Sequence, residues 1–219
     1  MIRIKINAKT LFTILFAFSF ANMAWGEPVI PPDFGDDTIT VPATLNKDPL
    51  PYIKLGKLTA KFEETTLGEI LNVFGKGSMK SSGEGCGHQY WLCYSLPNQR
   101  FWLASHGEMG GDEHSLTQVY AITTTSNSQE ELAACPMVQD HHLPVEFSFG
   151  WIGMNKEALV KALGKPSGVK DDRYFYLFES EQWGKYRDEM VIWTTMGYVE
   201  LILDGQKVIS IMASHVTSN

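Results

Sequence analysis

The stretch SHGEMGGDEHSL, residues 105–116, gathers His106, Glu108, Asp112, Glu113 and His114. Imidazoles and carboxylates are the ligands of catalytic zinc, and Asp140, His141 and His142 in QDHHLP offer a third donor. One reading is therefore a metal-dependent hydrolase or metal-binding protein using His106/His114 and His141/His142. The spacing argues against it. Zinc motifs such as HExxH place both His on one helical face, whereas His106 and His114 are eight positions apart across Gly110-Gly111. That glycine pair supplies the backbone freedom of a turn, so a hairpin tip between two strands is expected, with no metal and no cofactor.

Other chemistry is weaker still. SSGEGCGHQ, residues 81–89, is glycine-rich, but it precedes a strand and offers no helix N-terminus for a phosphate. Cys86 and His88 form a thiol–imidazole pair in sequence, without a third group to orient them. The chain carries no G-x-S-x-G, Rossmann or Walker pattern. Glu63-Glu64, Asp171-Asp172 and Asp188-Glu189 read as solvated acid pairs. No catalytic residue is assigned.

Arg3, Lys5 and Lys9 precede an apolar run from Leu11 to Ala24, then Ala24-Trp25-Gly26. This is the plan of a signal peptide over residues 1–26, cleaved near Gly26, giving a periplasmic or secreted protein. The run is shorter than the ~20 residues of a membrane span. Residues 1–26 hold three of the 18 Lys/Arg and none of the 25 Asp/Glu, so the remainder carries a net charge of −10. Such a surface repels phosphate backbones and excludes nucleic acid as a partner. The expected partner is an unidentified envelope or secreted protein. Of three cysteines, Cys86, Cys93 and Cys135, the favoured disulfide is Cys93–Cys135, which ties a long connector to a strand-like run.

The elements that position these residues read as a duplication. Residues 27–51 are a proline-rich extended segment, 52–125 a first β-α-β-β-β repeat, 126–142 a connector, and 143–219 a second repeat, β-α-β-β-β-β. TTLGEILNVFGKGS at 65–78 and MNKEALVKALGKPS at 154–167 both have helical apolar spacing. Thr66 with Glu69 matches a capping box, Asn155 is a fair N-cap, and Gly75 and Gly164 occupy C-cap positions. Asp204-Gly205 signals a tight hairpin. The expected class is α+β, two tandem helix-plus-antiparallel-sheet repeats.

Two such copies, each opening with a helix that ends Gly75-Lys76-Gly77-Ser78 or Gly164-Lys165-Pro166-Ser167, resemble the β-lactamase inhibitory protein and the small outer-membrane assembly lipoprotein fold, over about residues 52–217. The resemblance implies a tandem sheet with an exposed protein-binding face. The chain departs from the inhibitor in cysteine number and strand sequence, and the lipidation cysteine of the lipoprotein is missing, so no inhibitory residue carries over.

The strands are aromatic on both faces. In YWLCY, Trp91 and Cys93 oppose Tyr90, Leu92 and Tyr94; in RYFYLFE, Phe175 and Leu177 oppose Tyr174, Tyr176 and Phe178. Tyrosine joins a large apolar ring to a polar tip and suits a wet interface. The expected partner surface is Tyr90, Tyr94, Trp102, Tyr120, Tyr174, Tyr176 and Tyr198. SEQWGKYRDE at 180–189 adds Trp183 and Tyr186 on a polar tip. The function expected is an exported, non-catalytic protein-binding module: an inhibitor, immunity factor or envelope-assembly accessory.

Overall fold

Strand-forming runs outnumber helical periods along this chain, and the architecture follows them. The computed structural model describes residues 29–34, 44–84, 87–106, 114–125 and 128–219. The signal-like segment 1–26, Cys86, Glu108, Gly110-Gly111, Asp112 and Glu113 lie outside the described residues.

A short hairpin, β1 (Ile53–Leu55) and β2 (Leu58–Ala60), leads into α1 (Leu67–Phe74). The capping box is present: Thr66 Oγ accepts from the Glu69 N–H at 3.1 Å, and the Glu69 carboxylate accepts from the Thr66 N–H at 2.8 Å. Leu67, Ile70 and Phe74 form its buried stripe, and left-handed Gly75 (φ 65°) closes it. Then come β3 (Lys80–Ser82), β4 (Gln89–Leu96), β5 (Gln99–His106) and β6 (Gln118–Thr123). The connector contains α2 (Gln129–Ala134), with a second capping box from Ser128.

Next follow β7 (Val145–Phe147) and α3 (Lys156–Leu163). Asn155 caps α3 by accepting from the Ala158 N–H at 2.8 Å. Gly164 has φ 83° and ψ −161°, so it ends the helix without the left-handed turn seen at Gly75. The chain closes with β8 (Gly168–Lys170), β9 (Arg173–Tyr186), β10 (Glu189–Asp204) and β11 (Lys207–Ser218). Gly205 (φ 61°) turns the β10–β11 hairpin as its sequence predicts.

Two findings overturn the expected α+β pair of repeats. The strands ahead of the two helices do not belong to separate units: Ile53 faces Phe147 and Leu55 faces Val145, giving a three-stranded sheet of order β2-β1-β7. The remaining strands form one antiparallel sheet of order β3-β4-β5-β6-β11-β10-β9-β8, unbroken where β6 meets β11. Among the described residues the protein is mostly β, 50% strand and 15% helical. Periodicity along the chain identifies elements, but which edges meet depends on burying open backbone groups and apolar faces together. A smaller correction concerns β10. EMVIWTT and YVELILD read as two strands, and SEQWGKYRDE as a polar tip; in the structure β9 runs through Tyr186 and β10 is one strand of 16 residues.

The large sheet has an inner and an outer face. The inner face packs on α1, α3 and the small sheet in one apolar cluster that includes Leu92, Leu103, Val119, Leu201, Ile211 and Ala213. The outer face holds a second, small cluster of Trp91, Cys93, Trp102, Ala104 and Cys135. Cys93 and Cys135 are joined by a disulfide with Cα atoms 4.7 Å apart. Beside it, the Ser95 hydroxyl donates to the Cys135 carbonyl at 2.8 Å.

This bridge closes a loop between residues 42 positions apart. Loop-closure entropy then assigns it roughly 4 kcal/mol. Urea unfolding of the oxidised protein against Cys135→Ala should show a loss of that order; equal midpoints would contradict it.

Candidate functional site

The seven aromatic residues picked from the sequence do not share one surface. Strand register and pleat alternation put Tyr90, Tyr94, Tyr174 and Tyr176 on the inner face, and Trp102, Tyr120 and Tyr198 on the outer one. Tyr94, Trp102 and Tyr176 are buried, at 1%, 2% and 0% exposure. Tyr94 packs on the Phe74 ring with centroids 4.5 Å apart. The Tyr176 hydroxyl donates to the Gly164 carbonyl at 3.4 Å, linking the sheet to the end of α3. Tyr90 and Tyr174 are half-buried against the inner cluster. Burial raises the phenols of Tyr94, Tyr120, Tyr176 and Tyr198, that of Tyr176 to about 12, so all four stay protonated. Alternation in the sequence separated two faces correctly along each strand. It did not show that the tyrosine-bearing face of β4 and β9 is the one the helices cover.

The histidines do not meet either. His106 is exposed at the end of β5 on the outer face. His114 is buried on the inner side, stacked on Tyr90 with centroids 3.6 Å apart. His142 lies against Phe74, 4.9 Å between rings, with His141 beside it. Among the described residues, no group of three or more His, Cys, Asp or Glu is arranged to hold a metal ion.

The half of the outer face formed by β4, β5 and β6 is already covered. Both the Trp91 and Trp102 indoles donate to the Val29 carbonyl at 3.2 Å. Five residues on, the Phe34 ring lies 5.9 Å from Tyr120, and the Arg173 guanidinium donates to the Phe34 carbonyl. Arg173 also pairs with buried Glu200, its Nε donating to Glu200 Oε1 at 2.6 Å, and the Tyr198 hydroxyl donates to Glu200 at 3.2 Å. Residues 29–34 thus lie as a strap from β4 and β5 towards β9. Two prolines, Pro31 and Pro32, keep that strap extended. Alongside, α2 sits over the disulfide, its Glu131 3.4 Å from buried Arg100.

On the inner side, His215 of β11 is held by two acids. Its Nε2 is 3.2 Å from Asp48, and its Nδ1 is 3.1 Å from Glu63. Glu63 further accepts from the Thr217 N–H at 2.7 Å and the Thr217 hydroxyl at 2.8 Å. Gly197 lies opposite His215, and a Cβ there would come 3.1 Å from the Asp48 carboxylate, so glycine in the middle of β10 makes room for this clamp. Hydrogen bonds to Asp48 and Glu63 raise the His215 pKa to about 9 against the opposing effect of burial. Burial would raise both carboxyls, but the bonds to His215 hold them below their ordinary values. With both ring nitrogens occupied, the cluster ties β11 to residues 48 and 63 rather than offering a base.

What remains open is the far end of β9 and β10. Pairing with β11 begins at Thr194, opposite Glu181, so residues 182–193 form a two-stranded arm beyond the sheet. Its outer face carries Trp183, Met190 and Ile192, continued by Met196 and Val216 at the base. Trp183 is 65% exposed, Met190 58% and Met196 50%. On the other face Trp193 fills the space above Gly184, where a Cβ would meet its ring at 2.6 Å, and packs edge-on to Tyr186. That contact stiffens a hairpin that would otherwise be marginal. Five of the exposed large apolar side chains among the described residues thus lie on this one face. The sequence held the signal in Trp183, but reading 180–189 as a loop hid its alignment with Ile192.

The clamp sets a pH dependence. The His215 pKa is raised above its unfolded value of 6.5, so its stabilisation is complete below about 6.5 and is lost as pH climbs through about 9. Asp48 and Glu63 act in the opposite sense, their contribution lost as pH falls below their ordinary values of 3.8 and 4.5. Melting temperature should therefore fall between pH 6.5 and 9 in the native protein and stay flatter in His215→Gln. The same slope in both proteins would contradict the clamp.

No protein-family model, curated protein or solved structure matches this chain.

Proposed function

We propose that the protein is an exported, non-catalytic protein-binding module that grips another polypeptide with the outer face of its β9–β10 arm. The observation that carries this reading is the strip of Trp183, Met190, Ile192, Met196 and Val216, exposed together on one side of a hairpin stiffened from behind by Trp193. An aromatic anchor flanked by flexible methionines is the composition of a binding hot spot. As a class, an inhibitor, immunity factor or envelope-assembly accessory fits this reading. The residues that bind are those of the arm. Tyr94 and Tyr176, buried in the core, serve folding instead.

Export rests on the basic-then-apolar first 26 residues and sits well with the Cys93–Cys135 bridge, since disulfides persist in oxidising compartments. Among the described residues, no helix is long and apolar enough to cross a membrane.

The test is affinity capture from the exporting cell's envelope with the native protein and with Met190→Ser/Ile192→Ser. Two exposed side chains should change melting by no more than a few degrees. The pair should reduce capture of a specific envelope protein by about tenfold or more. Equal capture by both, or no specific protein with the native chain, would overturn the reading.

A further inference from the structure

We infer that the outer edge of β9 pairs with the same edge of a second copy of this chain, making a two-fold dimer whose sheets are continuous. This goes beyond the partner reading and does not rest on it.

The edge is open where the arm begins. On that side β9 is paired with β8 only over Arg173–Phe175, and the Leu45 N–H donates to the Leu177 carbonyl. Among the described residues, nothing pairs with the backbone of that edge from Glu179 to Tyr186. Phe175 and Leu177 direct their backbone groups outward, the Phe175 carbonyl to the Ser167 N–H and the Leu177 N–H to the Ser167 hydroxyl. Alternation along the strand then points the N–H and C=O groups of Glu179, Glu181, Trp183 and Lys185 to the same open edge. Proteins usually protect such an edge with proline, a bulge or a very short strand. Here the register with β10 is unbroken over all 14 residues, and the segment has no proline.

The charges say what pairs there. The sequence is Glu179-Ser180-Glu181-Gln182-Trp183-Gly184-Lys185-Tyr186-Arg187. It is acidic before Trp183 and basic after it, at matching intervals. Two copies aligned antiparallel about Trp183 bring each Glu181 opposite the other copy's Lys185, two opposite-charge pairs flanking the centre. A two-fold axis normal to the sheet keeps both outer faces on one side, so the pairs meet with side chains on the same face and the two Trp183 rings adjoin at the axis. Moving the register by two residues sets a charge against Trp183 and separates the two indoles. A lone edge lysine repels its own copy; this arrangement attracts it. The joined edges engage Trp183 but leave the Met190 and Ile192 side chains of β10 uncovered, with the two arms in one plane.

The test is sedimentation equilibrium of the protein after removal of residues 1–26. The native protein should show a concentration-dependent dimer, weakened by salt because the pairs are exposed. Glu181→Lys alone and Lys185→Glu alone each place like charges opposite one another and should weaken the dimer by about tenfold or more. Mixed one to one, the two variants should form a heterodimer, since every reversed charge then meets its opposite. That rescue cannot arise from misfolding. A native protein that stays monomeric at all concentrations, single variants that dimerise like the native chain, or a mixture that stays monomeric would each overturn the inference. Loss of envelope capture in Met190→Ser/Ile192→Ser would leave it untouched, because those side chains lie off the paired edge.

Discussion

Five residue pairs, from Ser210 opposite Ile122 to Ser214 opposite Gln118, join β11 to β6, and the rest of the molecule depends on them. Without that seam there would be two four-stranded sheets, each with an open edge and an apolar face too small to exclude water. With it, the inner face is continuous, and Val119, Ala121, Ile211 and Ala213 sit fully buried at its centre. The small β2-β1-β7 sheet closes over the same core because its strands come from both halves of the chain: Ile53 precedes α1 and Phe147 precedes α3. The two halves are thus locked twice, once edge to edge and once through a shared cover.

The outer face shows why one end of the sheet remains available. Over β4, β5 and β6 two tryptophans need a partner for their indole N–H groups, and a single carbonyl, that of Val29, accepts both. Buried donors without acceptors are costly, so the strap holds that region closed. The disulfide and α2 cover its neighbour. At the other end β9 and β10 outrun β11, and the alternation that builds a core elsewhere here lines up Trp183, Met190 and Ile192 with nothing across from them among the described residues. An apolar face is thereby displayed by strand length alone.

Much of this was legible in the sequence where the physics is local. Thr66 with Glu69 predicted a capped helix, Asp204-Gly205 a hairpin, and the position of Cys135 in a connector its bridge to Cys93; all three are present. What failed was non-local. The similarity of 65–78 to 154–167 correctly located two eight-residue helices, but a repeat in sequence does not state whether its copies fold apart or share sheets. The tyrosines failed for a related reason. A period of two divides a strand into faces without saying which one meets the helices, and Tyr94 and Tyr176 went inside. Gly197, inside β10, clears space beside Asp48 and His215, a role that shows only once the strands are paired.

The seam makes the sheet one cooperative body, and native-state hydrogen exchange reads that directly. The account predicts that amides of β6 and β11 across the seam, and those of β4 and β10 on either side, open with a single common free energy equal to that of global unfolding, with residues 182–193 of the arm exchanging faster. Two distinct opening energies, one for β3–β6 and another for β8–β11, with seam amides exchanging at the lower of the two, would contradict it.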